Sequence, residues 1–368
     1  MTTSTTTTTN EPLIEVKDLR VEFDVRAGIV KAVDGLTMTI NRGKTLGVIG
    51  ESGCGKSVTA RAILNMIPKP GKITSGEIIY HRRLRREGQP QLDDIINLVK
   101  TEPDGKVIRS IRGGEIGMIF QEPMSSLTPV YTAGTHVFEA VSLHHLTPTK
   151  KVGDQIAEQV ASHRKVTKEE GREIAISMLR RVGIPKPEER VDSYPHQLSG
   201  GQRQRVMIAV ALSCEPAMLI ADEPTTALDV SIEAQILDIM RELQETSNMA
   251  IMFITHNLGV IASMAEEIVV MYMGKVVEQG KVLEIFQDPK HPYTKALLQS
   301  IPKLGKKKAG ERLASIAGMT PDPFNLPTGC VFHPRCPAAM MGKCDKIAPT
   351  WKKISDGHYA SCLLYEEV

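Results

Sequence analysis

The chain has 368 residues, of which 24% are charged and 41% hydrophobic, an ordinary composition for a globular protein with room for more than one compact unit. The formal net charge of +2 provides no bulk attraction for nucleic acid, so we expect no nucleic-acid partner. No apolar stretch approaches the ~20 residues that cross a bilayer. The N-terminus also lacks the basic and apolar regions of a secretory signal. We therefore expect a cytoplasmic chain that reaches a membrane only through a protein partner.

The chain begins with a threonine-rich tail, and we expect residues 1–12 to be disordered. Residues 13–49 have the pattern of short alternating strands. Within them, residues 45–49 form an apolar run that suits a buried strand, and Gly50 ends it. A helical pattern follows from Lys56 to about Met66.

Between this strand and this helix lies GESGCGKS, which has every fixed position of a phosphate-binding loop. Its glycines allow a tight turn, so that successive N–H groups can point at phosphate oxygens. Lys56 is predicted to reach the β- and γ-phosphates, and Ser57 to hold Mg²⁺, at a helix N-terminus whose dipole favours anions. The predicted nucleotide-binding residues of the loop are Gly50, Glu51, Ser52, Gly53, Cys54, Gly55, Lys56 and Ser57.

Two segments after this loop are unusual. An insert from His81 to about Ile111 contains the basic run RRLRR, and we expect a solvated loop, with contact to a membrane surface or an acidic partner as the alternative. Residues 124–197 are predicted to be mostly helical. In them, LTP at 127–129 with Gly134, Glu139 and Val141 recurs 19 residues later as LTP at 146–148 with Gly153, Glu158 and Val160, which indicates a local duplication.

Residues 202–280 alternate strands with helices, which predicts a largely parallel sheet with helices on its faces. Phosphates bind at the carboxyl ends of the strands in such sheets. The apolar run at 217–221 ends in Asp222 and Glu223. Beside a phosphate loop, Asp222 is predicted to bind Mg²⁺, directly or through water, and Glu223 to polarise the attacking water as general base.

Four further segments resemble those of the ATP-binding-cassette (ABC) ATPases: MIFQEP around Gln121, LSGGQ at 198–202, ALD at 227–229 and FITHN around His256. The resemblance implies an α/β ABC-type phosphate-loop core over residues 13–280. Such a core has a mostly parallel sheet, an antiparallel β flank and a helical subdomain at about residues 124–197. It hydrolyses ATP with Mg²⁺. Its phosphate loop faces the LSGGQ motif of a second subunit, so the chain must dimerise.

The resemblance also implies roles for single residues. Gln121 senses Mg²⁺ and links the site to the membrane partner, and His256 contacts the γ-phosphate, so both join Glu223 in the catalytic set. Phe23 stacks on the adenine, with a strand residue that faces the core as the alternative. The signature and neighbouring residues expected to contact nucleotide across the dimer are Ser199, Gly200, Gly201, Gln202 and Asp229.

Residues 281–368 resemble the extension found in the dipeptide/oligopeptide branch of ABC importers, through HPYTKALL at 291–298 and GCVFHPRCP at 329–337. Disulfides are disfavoured in a cytoplasmic chain, so clustered cysteines suggest metal ligation, although the paired CxxC spacing of structural zinc is absent. Some members of this branch carry a [4Fe–4S] cluster with this spacing. We expect that cluster here, with zinc or no metal as alternatives. Its predicted ligands are Cys330, Cys336, Cys344 and Cys362, whereas Cys54 and Cys214 are expected to be plain small residues.

The resemblance implies the ATP-hydrolysing subunit of an importer of di- or oligopeptides. Its expected partners are a related ATPase subunit of the F type, two transmembrane permease subunits and an extracytoplasmic solute-binding protein. It would lie on the cytoplasmic face of the plasma or inner membrane. The alternatives are the same machine with another cargo (oligosaccharide, nickel or glutathione), an exporter subunit, or a soluble ABC ATPase without a transport role.

Overall fold

The computed structural model describes residues 11–84, 92–120, 146–225, 228–300 and 316–366. Its strands are β1 Pro12–Val25, β2 Gly28–Asn41, β3 Thr45–Ile49, β4 Gly71–Leu84, β5 Leu92–Asn97, β6 Ile116–Ile119, β7 Met218–Asp222, β8 Ala250–Ile254, β9 Glu267–Tyr272, β10 Lys275–Lys281, β11 Lys352–Ser355 and β12 His358–Ala360. Its helices are α1 Lys56–Ile63, α2 Lys106–Ile111, α3 Val152–His163, α4 Lys168–Arg181, α5 Pro187–Arg190, α6 Gly200–Leu212, α7 Val230–Ser247, α8 Leu258–Met264, α9 Val282–Gln287 and α10 Pro292–Gln299. Within the described ranges, no helix is long and apolar enough to cross a bilayer.

The larger sheet has eight strands in the order β11-β12-β10-β9-β3-β8-β7-β6. Strands β9, β3, β8, β7 and β6 are parallel, and the other three extend the sheet in antiparallel pairs. Every residue of β3, β7 and β8 is buried, as expected for strands covered on both faces. Successive residues of β7 contribute to opposite cores, since Leu219 packs in one cluster and Ile220 in the other. The predicted parallel sheet is confirmed.

The smaller sheet is antiparallel, with four strands in the order β2-β1-β4-β5, and it corresponds to the predicted antiparallel flank. Strand β1 begins at Pro12. Within the insert, the end of β4 pairs with β5, so that His81 lies opposite Ile95 and Arg82 opposite Asp94. The expectation of a solvated loop over 81–111 was therefore wrong for the described part of that segment. Buried apolar residues of the short helix α2, Ile108 and Ile111, explain why this part packs instead of remaining solvated.

Helices α3 to α6 lie in the segment between β6 and β7. In α4, Thr167 and Glu170 form a reciprocal capping box, with hydrogen bonds of 3.2 and 2.7 Å.

The second copy of the repeat leads into α3, where Gln155 holds the main chain of Thr147 through hydrogen bonds of 2.6 and 3.1 Å. The first copy, residues 127–141, lies outside the described residues, so the duplication stays a prediction.

The segment beyond residue 280 adds strands to the same large sheet. Strand β12 pairs with β10 through Glu278↔Ala360 and Gln279↔Tyr359, and β11 pairs with β12. The C-terminal residues therefore form the antiparallel edge of the sheet that carries the phosphate loop.

Candidate functional site

The phosphate loop connects β3 to α1, as predicted from the strand–glycine–helix pattern. Gly55, with a φ of 100°, begins α1, and a Cβ there would lie 2.3 Å from the Ala32 carbonyl oxygen. A Cβ on Gly50 would lie 2.2 Å from the Met271 carbonyl oxygen, so both positions require glycine. The Lys56 side chain is buried and folds back over the loop, where Nζ donates to the carbonyls of Gly50 at 2.8 Å and Glu51 at 2.9 Å. The Lys56 ammonium group is thus held close to the backbone of the phosphate loop.

The predicted magnesium ligands Asp222 and Ser57 meet at the carboxyl ends of β7 and β3. Burial raises the pKa of Asp222, opposed by a hydrogen bond from the Ser57 side chain. Asp222 Oδ1 is buried and has no hydrogen-bond partner among the described residues. A buried, unpaired carboxylate oxygen beside a serine hydroxyl is a donor set that suits Mg²⁺. These two residues therefore fit the ion.

Glu223 and His256 lie side by side at the ends of adjacent strands. Glu223 adopts a left-handed backbone conformation, with a φ of 49°, and its N–H donates to the Ile254 carbonyl at 2.9 Å. Its Oε1 lies 3.5 Å from His256 Nδ1, and the His256 side chain is 68% exposed against 14% for Glu223. This pairing joins β7 to the loop after β8. It places an imidazole beside the Glu223 carboxylate, one residue after Asp222, which is an arrangement that suits acid–base chemistry.

The LSGGQ segment forms the start of α6. Ser199 caps this helix, accepting a hydrogen bond from the Gln202 N–H at 3.3 Å, while the Gln202 side chain accepts from the Ser199 N–H at 3.1 Å. A Cβ on Gly200 would meet nothing within 4 Å, so this helix terminus is open to approach. Asp229 caps α7 through a 3.0 Å hydrogen bond from the Ile232 N–H. The start of α6 is exposed and uncharged and therefore favours anions, whereas the start of α7 already carries the Asp229 carboxylate.

The remaining residues predicted to contact the nucleotide include Phe23, Cys54 and Gln121. Phe23 is half-buried and packs against Gly71, where a Cβ would lie 2.5 Å from the Phe23 ring. Cys54 is buried, and its Sγ lies 3.7 Å from Lys56 Nζ. Gln121 lies outside the described residues, as does Ala227 of the ALD segment.

Two C-terminal residues that the sequence analysis did not single out contact the phosphate loop. Arg335 binds the Glu51 carboxylate with both terminal nitrogens, at 2.7 and 3.0 Å. The Tyr293 hydroxyl accepts a 2.8 Å hydrogen bond from the Glu51 N–H. Tyr293 belongs to the HPY segment and Arg335 to the HPR segment. The sequence shows both segments, but it does not indicate a contact with Glu51, because each lies far from Glu51 along the chain.

The four C-terminal cysteines share one small cavity of about 10 Å³, which His291 and His333 also line. The pKa of Cys362 is raised to about 11, mainly by burial and in part by the nearby Cys330, Cys336 and Cys344. All four cysteines therefore line the same cavity. Across the described ranges, however, no group of three or more His, Cys, Asp or Glu side chains is arranged to hold a metal ion.

The fold and the phosphate-loop site define an ATP-binding-cassette ATPase. Residues 33–226 match the family described as ABC transporter, and residues 277–344 match the family described as oligopeptide/dipeptide transporter, C-terminal region. The chain therefore belongs to the ABC transporter family and carries the C-terminal region of its oligopeptide/dipeptide transporters.

Relatives cover nearly the whole chain. The dipeptide transport ATP-binding protein DppD of Bacillus subtilis is 42% identical, over 97% of this chain and 96% of its own. The oligopeptide transport ATP-binding protein OppD of the same organism is 45% identical, over 96% of this chain and 88% of its own. DppD of Haemophilus influenzae is 42% identical, over 89% of this chain and 88% of its own.

Solved structures share the cassette fold. A dimeric post-hydrolysis state of the ATP-binding cassette MJ0796, bound to ADP and Pi, has a TM-score of 0.59 at 24% identity, over 73% of this chain and 98% of that one. The cbiO1 protein of Clostridium perfringens, part of an ABC transporter complex cbiONQ, has a TM-score of 0.54 at 26% identity, over 76% of this chain and 92% of that one. The first likeness shows the fold alone.

Proposed function

We propose that the chain is the ATP-hydrolysing subunit of an importer that takes up di- or oligopeptides through a transmembrane permease. One observation carries this proposal. The phosphate loop and the Asp222–Glu223 pair meet in one site, and that site is contacted by a C-terminal region of the oligopeptide/dipeptide type. The relatives with the same two regions are named for dipeptide and oligopeptide transport.

In the proposed reaction, the phosphate loop binds the β- and γ-phosphates with Lys56 and its backbone N–H groups. Ser57 and Asp222, with Gln121 as a further ligand, would hold Mg²⁺, which supplies charge neutralisation at the phosphates. Glu223 takes a proton from the attacking water, and His256, 3.5 Å from it, contacts the γ-phosphate. The unpaired Oδ1 of Asp222 supports this ligand set.

The second half of each site would come from another subunit. In this proposal, Ser199, Gly200, Gly201 and Gln202 approach the γ-phosphate bound to the opposite phosphate loop, and Asp229 lies beside them. The exposed start of α6 supports such an approach. ATP then favours the closed dimer because it binds the closed state more tightly, and closure moves the permease helices.

Replacing Glu223 by Gln tests the assignment of the base. The variant should bind ATP and form an ATP-dependent dimer, while steady-state hydrolysis falls by at least ~100-fold. Glu245→Gln, an exposed change on α7, is the matched control and should hydrolyse ATP like the wild type. Hydrolysis at the wild-type rate in Glu223→Gln would remove Glu223 from the mechanism.

The partners and cargo complete the proposal. We infer an F-type ATPase partner, two permease subunits and an extracytoplasmic solute-binding protein, with this chain on the cytoplasmic face of the membrane. The complex reconstituted in lipid vesicles should show ATPase activity stimulated by its binding protein loaded with peptide. Stimulation only by an oligosaccharide, nickel or glutathione would keep the machine and change its cargo. ATPase activity that does not respond to any permease would favour a soluble, non-transport ATPase.

We further propose that Cys330, Cys336, Cys344 and Cys362 bind a metal centre, a [4Fe–4S] cluster in preference to zinc. The support is their common cavity and the contribution of the other three cysteines to the raised pKa of Cys362. The cavity of about 10 Å³ means that the surrounding side chains must move outward to accept a cluster. Anaerobically purified protein should absorb near ~400 nm and contain iron, and Cys336→Ser should lose both, while Cys214→Ser keeps them. Zinc without iron would identify the alternative metal. The absence of both iron and zinc would refute the metal centre.

A further inference from the structure

We propose that Arg335 and Tyr293 of the C-terminal region are positioning residues for the phosphate loop and set the affinity of the chain for ATP. The proposal rests on the phosphate-binding role of residues 50–57, and it assigns to the C-terminal region a task at the nucleotide site that is separate from any task at the permease. Both residues act on the same loop position, Glu51.

The Arg335 side chain has a fixed position. Its two terminal nitrogens bind the two oxygens of Glu51 at 2.7 and 3.0 Å, and one of them also donates to the Tyr272 hydroxyl at 3.2 Å. Its Nε donates to the Ala317 carbonyl at 3.1 Å. The side chain is 5% exposed, so the guanidinium is held on three sides and largely shielded from water. A bidentate pair of this kind fixes both distance and orientation.

Tyr293 holds the main chain of the same residue. Its hydroxyl oxygen is 2.8 Å from the Glu51 nitrogen, and burial raises the pKa of Tyr293, which keeps the phenol protonated. The ring packs against Tyr272, with centroids 4.7 Å apart, and against Phe332, with centroids 5.4 Å apart. Since Tyr272 lies in β9 and Phe332 in the C-terminal region, this aromatic cluster ties the two regions together where they meet the loop.

The contacts of Arg335 and Tyr293 affect the phosphate loop because of where Glu51 lies in it. Glu51 is the first residue after Gly50, and its carbonyl accepts a 2.9 Å hydrogen bond from Lys56 Nζ, the group predicted to bind the phosphates. Fixing the side chain and main chain of Glu51 therefore fixes the start of the loop and one anchor of Lys56. The guanidinium also neutralises a carboxylate that would otherwise repel the phosphates of ATP.

Nucleotide titration of purified full-length variants tests both parts of this argument. In Arg335→Gln, the dissociation constant for Mg·ATP should rise by about tenfold, because the Glu51 charge is unpaired and the loop start is released. At saturating ATP, kcat should stay within about twofold, because no reacting group is changed. Lys346→Gln removes an exposed cation of the same region and should leave both constants unchanged.

Three further variants separate the contributions. The double variant Glu51→Gln/Arg335→Gln removes the unpaired carboxylate and should bind ATP more tightly than Arg335→Gln; no gain would overturn the charge argument. Arg335→Lys keeps the charge without the bidentate geometry, so it should restore only part of the affinity. Tyr293→Phe keeps the ring packing, and it should raise the dissociation constant by a few-fold if the hydroxyl holds the loop.

Two outcomes distinguish this inference from the proposed function. A wild-type chain that fails to bind ATP would remove the proposed function itself. A wild-type chain that binds ATP, with Arg335→Gln and Tyr293→Phe binding equally well, would overturn only the positioning role. Urea denaturation of each variant shows whether it is folded, and if Arg335→Gln does not fold, Tyr293→Phe and Arg335→Lys carry the test.

Discussion

Glu278 on β10 and His358 on β12 share a hydrogen bond of 2.8 Å, and both side chains are buried. The same carboxylate accepts hydrogen bonds from the N–H groups of Lys290 at 2.6 Å and His291 at 2.8 Å. One buried acid therefore joins β10 of the large sheet, the edge strand β12 and the segment that leads into α10.

Replacing Glu278 by Gln should destabilise the protein. An amide has one acceptor oxygen where the carboxylate has two, so at least one of the three donors loses its partner. We expect the free energy of unfolding to fall by about 1–3 kcal/mol, measured by urea denaturation. Glu245→Gln, exposed on α7, should change it by less than about 0.5 kcal/mol. An unchanged unfolding free energy in Glu278→Gln would contradict the assigned network.

The buried His291 predicts a pH-dependent stability. Burial lowers the pKa of His291 from 6.5 to about 3, and its Nδ1 accepts a 3.1 Å hydrogen bond from the Tyr293 N–H, which requires the neutral ring. The unfolded chain then binds a proton near pH ~6.5 that the folded chain excludes, so stability falls as the pH drops from 6.5 toward 3. Between about pH 7.5 and pH 5.5, protonation of His291 in the unfolded chain should lower the free energy of unfolding by about 1.4 kcal/mol.

The matched variant for this pH effect is His291→Asn. Asparagine keeps a side-chain acceptor at the start of α10 but does not titrate. Its unfolding free energy is expected to be lower at all pH values, because the smaller side chain leaves a cavity. The difference from the wild type should shrink as the pH falls. Parallel pH profiles of the two proteins would show that His291 does not carry the effect.

Asp222→Asn should raise the stability of the protein in the absence of Mg²⁺ but weaken its Mg²⁺-dependent binding of ATP. Burial raises the pKa of Asp222, so its charge is unfavourable in the folded protein when no cation is present. Without Mg²⁺, the variant should therefore unfold at higher urea than the wild type. With Mg²⁺, it should lose the increase in ATP affinity that the ion provides, by about tenfold or more. A variant that is less stable without Mg²⁺ would contradict the buried-charge argument.

The capping boxes of α4 and α6 provide a matched pair of variants. Thr167→Ala and Ser199→Ala each remove a capping side chain and should each cost about 1 kcal/mol of stability. Only Ser199→Ala should also lower ATP hydrolysis, by about tenfold, because Ser199 is proposed to meet the γ-phosphate across the dimer. Equal hydrolysis rates in the two variants would limit Ser199 to a structural role.

The predictable parts of this protein are local in sequence. The apolar run at 45–49, the glycines and the helix that begins at Lys56 predict the phosphate loop because strand, turn and helix follow one another directly. The pairing of β12 with β10 could not be predicted, since His358–Ala360 is too short to show an alternating pattern. The contact of Arg335 with Glu51 spans 284 positions and depends on how the whole sheet is assembled. Helix α2, with 6 residues, is likewise too short to show a helical apolar period.

The edge strand β12 and Arg335 have a consequence for biosynthesis. A ribosome makes the phosphate loop long before Arg335, because the Arg335–Glu51 pair joins positions 284 residues apart. A nascent chain that has emerged only through β10 has its parallel strands and loop, but not the strand that covers the outer edge of β10. Full-strength nucleotide binding would then begin only once Arg335 has been made and has folded against Glu51, so shorter nascent chains would bind ATP more weakly than chains that contain it.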